Sequence, residues 1–229
     1  MRIDKFLSDM LIGSRKEVKK LIKDNRISVN GETVTSPDYP VNEDTVVYVD
    51  EEPVCYQKYQ YYILNKPQGY LCTNDYSPNV LELIPERRKN LMPVGRLDKD
   101  TEGLLLLTDD GQLAHKLISP KNHVDKVYYV ETKEVIDEKT TEIFAQPIAF
   151  SDFTSEPAQY QSLSPTSGLL TIHEGKYHQV KRMFGYLGCE VTFLKRISFA
   201  FLTLDGLQTR EYRQLSEEEI TKLKKIGDR

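Results

Sequence analysis

Leu104 to Leu107 is the longest aliphatic run in the chain, and it follows directly on a crowd of charge within seven positions, Arg96, Asp98, Lys99, Asp100 and Glu102. A run of four leucines has to be buried. The charged loop before it is therefore tethered to the edge of a core, where loops held by a rigid scaffold tend to carry chemistry. Taken alone, the same loop is equally a solvated turn laced with ion pairs.

Two other clusters share this character. Tyr62-Ile-Leu-Asn-Lys-Pro-Gln-Gly69 is an apolar strand running into a Lys-Pro-x-Gly turn, and alone it asks for nothing beyond that. Glu174-Gly-Lys-Tyr-His-Gln-Val-Lys-Arg-Met-Phe184 opens a helix at a Gly-Lys turn, with Val180, Met183 and Phe184 facing inward. Its cations, Lys176, Lys181 and Arg182, stand near a helix N-terminus, which suits a phosphate or carboxylate. The same residues also make an ordinary basic surface helix. Around these clusters, β-type segments recur at 61–65, 104–108, 126–131, 169–173, 191–195 and 199–204, with helical patterns at 111–118 and 177–187. Regular βαβ alternation is missing, so residues 59–229 are expected to form an α+β domain with a mixed, mostly antiparallel sheet flanked by helices. Asp109-Asp110-Gly111 reads as a turn and helix cap. Ile220, Leu223 and Ile226 suggest a last amphipathic helix.

The beginning of the chain differs. Net charge over the whole is only −4, but residues 1–30 hold eight Lys or Arg against four Asp or Glu, and residues 31–60 hold one against seven. A local basic patch acts on phosphates whatever the total charge. Ile3, Phe6, Leu7, Met10 and Leu11 predict a helix over 2–11. Ser14 and Glu17 form a capping box that opens a second helix. Val18, Leu21 and Ile22 line its inner stripe, and Arg15, Lys16, Lys19, Lys20 and Lys23 fall largely on the other side. An alternating segment starts at Arg26, and its Asn30-Gly31 predicts a tight hairpin. Pro40, Pro53 and the Asp-Glu-Glu-Pro stretch at 50–53 read as a hinge or linker. The boundary is placed near residue 58, giving domains 1–58 and 59–229, the first too slight for an enzyme core.

Hydrophobic residues make up 39% of the chain, enough for a substantial core. No apolar run approaches a membrane span, and the N-terminus lacks the apolar stretch of a signal peptide. Cys55, Cys72 and Cys189 are widely spaced, so free thiols in a reducing, cytoplasmic setting are expected. His115, His123, His173 and His178 have no ligand spacing with cysteine, so no metal site is expected. No apolar stripe is left over, which points to a monomer.

The first fifty residues, in the order RIDKFLSDMLIGSRKEVKKLIKDNRISVNGETV, resemble the S4-like RNA-binding domain. In that family the second helix and hairpin face the RNA backbone, which makes Arg2, Arg15, Lys16, Lys19, Lys20, Lys23 and Arg26 candidate RNA contacts. Behind this module, Gly-Arg-Leu-Asp with its Thr-Glu-Gly-Leu-Leu continuation, and Gly-Lys-Tyr-His-Gln-Val-Lys-Arg-Met, resemble the Rsu family of pseudouridine synthases over nearly the whole chain. The resemblance implies that Asp98 is the catalytic carboxylate, that Tyr128 of Lys126-Val-Tyr128 is the active-site tyrosine, and that Lys181 is the basic partner. It also implies RNA contacts from Lys66, Lys176 and Arg182, and from Arg96, a candidate for the space left by a flipped uridine. One departure is Ser198, where the family often has glycine. The short length and intact N-terminal module are most similar to members acting on the small ribosomal subunit, which implies a uridine of 16S rRNA as target, with large-subunit rRNA or tRNA as the alternatives. The reaction breaks the N1–C1′ bond, rotates the base and forms C5–C1′ with no atom gained or lost, so no cofactor or metal is expected. A non-catalytic RNA-binding assembly factor explains the first sixty residues but gives no reason for the Asp98 and Lys181 clusters. A two-carboxylate glycosidase using Asp98 and Glu102 fits poorly with the basic surroundings.

Overall fold

The computed structural model describes residues 1–42, 44–54, 56–73 and 75–227. Cys55 lies outside them. The chain divides into two compact units, Met1–Gln60 with Glu86–Lys89, and Tyr61–Pro85 with Asn90–Arg229.

The first unit packs α1 (Ile3–Asp9) and α2 (Arg15–Lys23) on a four-stranded antiparallel sheet of β1 (Ile27–Val29), β2 (Glu32–Thr33), β3 (Val47–Val49) and β4 (Glu52–Val54), in the order β2-β1-β3-β4. The capping box forms as expected, with Glu17 N–H donating to Ser14 Oγ at 3.3 Å and Ser14 N–H to Glu17 Oε2 at 2.7 Å. Asn30 and Gly31 both take positive φ in the β1–β2 turn. Ile3, Phe6, Leu7, Val18, Ile22 and Val47 close the core. The Asp-Glu-Glu-Pro stretch is not a hinge. Asp50 and Glu51 form the tight β3–β4 turn with φ of 50° and 69°, and Pro53 sits in β4 at the sheet edge, where a missing N–H costs nothing.

The second unit runs, in chain order, β5 (Tyr61–Lys66), β6 (Met92–Pro93), β7 (Glu102–Thr108), α3 (Gly111–Ile118), β8 (Lys126–Thr132), α4 (Thr140–Phe144), β9 (Gln159–Ser164), β10 (Ser167–Ile172), α5 (Gln179–Tyr186), β11 (Val191–Phe199), β12 (Leu202–Thr203), β13 (Tyr212–Gln214) and α6 (Glu217–Lys224). The sheet order is β13-β5-β7-β11-β8-β10-β9, with β6 on β7 and β12 on β11. Its pairings are antiparallel except the join of β7 to β11. Leu104 to Leu107 are all fully buried in β7, as the apolar run requires. β8 alternates strictly, burying Lys126, Tyr128 and Val130 on one face. Asp110 caps α3 through Leu113 N–H at 3.0 Å. The strand expected at 199–204 is instead the end of β11, a turn through Ala200 at φ 53°, and β12. Among the described residues no helix is long and apolar enough to cross a membrane, and no group of three or more His, Cys, Asp or Glu is arranged to hold a metal.

Candidate active site

The Asp98 loop joins β6 to β7 and is held from below by Lys66, the last residue of β5. The Lys66 ammonium, fully buried, donates to the carbonyls of Pro67 (3.0 Å), Asp98 (3.1 Å), Lys99 (3.3 Å) and Thr101 (2.8 Å). A buried cation is costly unless dipoles replace its water, and here four carbonyls do so. Desolvation nevertheless pulls the Lys66 pKa below its usual value, against the opposing charges of Asp100, Asp98 and Glu102. Gly69 N–H to Lys99 O (2.7 Å) and Leu97 N–H to Cys72 Sγ (3.4 Å) pin the loop further.

Thus fixed, Asp98 presents its carboxylate to a cleft of about 680 Å³, within the size range of small-ligand sites. Lys181 Nζ, from α5, lies 3.3 Å from Asp98 Oδ2 and 2.6 Å from Asp100 Oδ1. The Lys181 hydrogen bond holds Asp100 below the usual carboxylate range. His178 Nε2 lies 3.6 Å from the other Asp98 oxygen. His178 precedes α5 in the left-handed region, φ 50°, a conformation that costs a non-glycine residue roughly 1–3 kcal/mol and collects at functional sites. The turn around it is braced by Gln179, which donates to Glu174 Oε1 (2.8 Å) and accepts from Lys176 N–H (3.0 Å).

The cleft is also lined by Tyr128, 7% exposed, with Lys126 and Arg196. Arg196 pairs with Tyr128, and Phe199 with Lys126, across β11 and β8. Lys126 Nζ donates to Val124 O (2.8 Å) and His173 O (2.9 Å), and Arg196 Nε to Leu104 O (2.7 Å). Both cations lie over the Phe199 ring, 5.6 and 5.3 Å from its centroid. Burial, reinforced by Arg196, lowers the Lys126 pKa to about 8. Gly103 brings β7 against β11: its φ is 103°, and a Cβ there would meet Arg196 O at 2.2 Å.

Residues 60–186 match the family model of RNA pseudouridylate synthase, and residues 1–47 match the S4 domain. The chain is 43% identical to the RNA pseudouridine synthase YtzG of Bacillus subtilis over 96% of its own length and 97% of that protein's. It is 41% identical to the ribosomal small subunit pseudouridine synthase A of Escherichia coli, over 96% and 98%. A solved pseudouridylate synthase superposes with a TM-score of 0.69 at 36% identity, covering 97% of this chain and 99% of the other. The chain belongs to the RNA pseudouridine synthases. It is an isomerase with an S4 domain ahead of its synthase domain.

The residues singled out in the synthase sequence are distributed unevenly. Asp98, Tyr128 and Lys181 converge on the cleft, and Arg96 and Lys176 line it with exposed side chains. Lys66 has to be reassigned. Its side chain is buried beneath the loop, out of reach of RNA, because its charge is used by backbone carbonyls. Arg182 is also committed within the protein. It pairs bidentately with Asp152 (Nη1 to Oδ2 3.1 Å) and lies 4.9 and 4.6 Å from the Phe150 and Phe153 ring centroids. In the S4 unit, Arg2 faces Asp4 at 3.1 Å and Arg26 pairs with Asp50. Arg15, Lys16, Lys19, Lys20 and Lys23 are exposed on α2 and form no ion pair among the described residues. Sequence reasoning passed over Lys126 as a cleft residue, although Lys-x-Tyr spacing on a strand puts it on the same face as Tyr128. It also passed over Arg196 and the Asp98 contact of His178.

Proposed function

We propose that this synthase converts one specific uridine of 16S ribosomal RNA to pseudouridine, with Asp98 acting on the sugar. The observation that carries the reading is the Asp98 carboxylate held in the cleft by a rigid loop, 3.3 Å from Lys181, with Tyr128 lining the same space. The small-subunit target is supported by the E. coli relative, which matches over nearly the full length of both chains.

The target uridine leaves its stack and enters the cleft, and Arg96 occupies the gap left in the RNA. The Asp98 carboxylate attacks C1′, or assists elimination of uracil from the sugar, and the N1–C1′ bond breaks. The base turns, C5 bonds to C1′, C5 loses its proton and N1 gains one. Tyr128 packs against the base and assists removal of the C5 proton. Lys181 keeps the carboxylate in place as its charge changes. Atoms and electrons balance within the nucleotide, so the reaction asks for no cofactor. Residues 1–58 anchor the RNA through the phosphate contacts of α2, which position without reading sequence, and residues 59–229 carry the chemistry. The enzyme acts as a monomer in the cytoplasm, a setting that suits the free, buried thiols of Cys72 and Cys189.

The test is carbodiimide mapping of pseudouridine in total ribosomal RNA from cells lacking the gene, complemented with wild type or Asp98→Asn. One small-subunit site is expected to vanish on deletion, to return with wild type and to stay absent with the variant. A lost large-subunit or tRNA site would move the target and keep the chemistry. An unchanged map would leave an RNA-binding protein without activity.

A further inference from the structure

Tyr177 is the most exposed large hydrophobic side chain among the described residues, at 71%, and of that exposed group only Tyr177 and Ile118 line the Asp98 cleft. One face of its ring is covered. The His178 imidazole stacks on it with centroids 3.9 Å apart and planes 19° from parallel. No other ring and no cation lies over it among the described residues. The stack is aimed, because the His178 ring that supports Tyr177 also approaches Asp98 at 3.6 Å, and its left-handed backbone fixes that orientation. Tyr177, His178 and Asp98 therefore form one series running from the rim of the cleft to its reactive group. Lys176 and Arg96 stand exposed beside it.

We propose that Tyr177 is a stacking platform for the unpaired base next to the target uridine, an inference that rests on the chain acting on RNA at Asp98. When a uridine leaves its stack, its neighbour loses a stacking partner. A bare aromatic face at the rim replaces that partner, and such stacking tolerates any base. Arg96 stays in the gap left by the flipped nucleotide, and Lys176 takes a phosphate beside it. Because His178 links the platform to Asp98, the docked neighbour sets the register at which the target sugar meets the carboxylate.

The chain contains no tryptophan, so Tyr177→Trp creates a single tryptophan at the proposed contact, which is excited selectively beyond the tyrosine absorption. The probes are a single-stranded oligouridine octamer and a blunt RNA duplex of the same length, titrated in parallel. Saturable quenching by the octamer and none by the duplex is expected. With a 16S rRNA transcript, Tyr177→Ala should raise KM about tenfold, the scale of one lost stack, while kcat stays within about threefold and Tyr177→Phe restores KM. Circular dichroism checks that each variant is folded. Equal quenching by duplex, no quenching by either probe, or an unchanged KM for Tyr177→Ala would each overturn the proposal. The two readings fail separately. Quenching without pseudouridine formation by wild type would retain the platform and sink the assigned activity, and pseudouridine formation without quenching would do the reverse.

Discussion

The lysines of α2 and the two lysines beneath the active-site cleft carry the same charge under opposite conditions. Lys16, Lys19, Lys20 and Lys23 are exposed and unpaired among the described residues. Lys66 and Lys126 are buried and donate only to backbone carbonyls. An exposed ammonium on a flexible stem can meet phosphates in many geometries, and its neighbours can stand in for it. A buried one is defined by the carbonyls around it and has no substitute. Placement rather than charge separates a surface open to a partner from a frame that holds a loop.

The comparison can be broken or sharpened in four ways. The largest effect is expected at the group the buried frame positions: Asp98→Asn should lower turnover on a 16S transcript by about 10⁴-fold or more with RNA affinity kept within threefold, as read by a filter-binding assay. A variant retaining more than a tenth of wild-type turnover would remove Asp98 from the mechanism. Next, Lys66→Met should cost roughly 3–5 kcal/mol in urea unfolding, because it removes the buried donor that four carbonyls share. Lys66→Arg should fare no better, since a planar guanidinium does not fit an ammonium cage. Wild-type stability in the arginine variant would show that charge alone suffices there.

The third effect depends on pH. Lys126 has a folded pKa of about 8 and an ordinary value of 10.5 when unfolded. Below pH 8 both states hold the proton and the cost of burying the charge is present in full. Between pH 8 and 10.5 the unfolded chain holds more protons, so stability contributed at this position rises with pH. The gap between wild type and Lys126→Met in urea unfolding should shift in favour of wild type by on the order of 2–3 kcal/mol across that window. A flat difference would place the Lys126 titration elsewhere. The smallest effect belongs to α2. Lys19→Gln should weaken RNA binding only a few-fold and reduce the slope of log affinity against log salt by about one, while Lys19→Arg should change neither. A tenfold loss from that single change would mean that α2 reads a defined site.

Much of the frame was legible in the residues. The leucine run, the Asp110 cap, the Ser14–Glu17 box and the Asn30-Gly31 turn are local signals, and each forms where the local chemistry puts it. The Asp98, Tyr128 and Lys181 set came from motif resemblance, because the three lie on different elements that only tertiary structure brings together. The failures are of one kind. β9 has a single buried side chain, Tyr160, and leaves its only other apolar residue, Leu163, exposed, so its alternation was too weak to register. Asp50 and Glu51 looked like a linker because they are acidic and stand near Pro53, and the pairing of β3 with β4 that makes them a turn is not visible in so short a pattern. Lys66 looked like an RNA contact because sequence shows a charge and not the carbonyls that surround it.

Gly103 has a consequence for how the active site is joined. The parallel join it permits, Lys195 to Glu102 and Arg196 to Gly103, divides the sheet into two antiparallel halves. Lys66, Asp98 and their loop belong to the β5–β7 half, and Tyr128, Lys181, His178 and Tyr177 to the half built from β8, β10 and β11 with α5. Each half pairs its own strands, and the two share one hydrophobic core. The Asp98 carboxylate meets Lys181 across a seam where Gly103 leaves no room for a side chain. A methyl group at residue 103 would therefore act on the seam itself, pushing the strand that leaves the Asp98 loop away from the strand that carries Arg196.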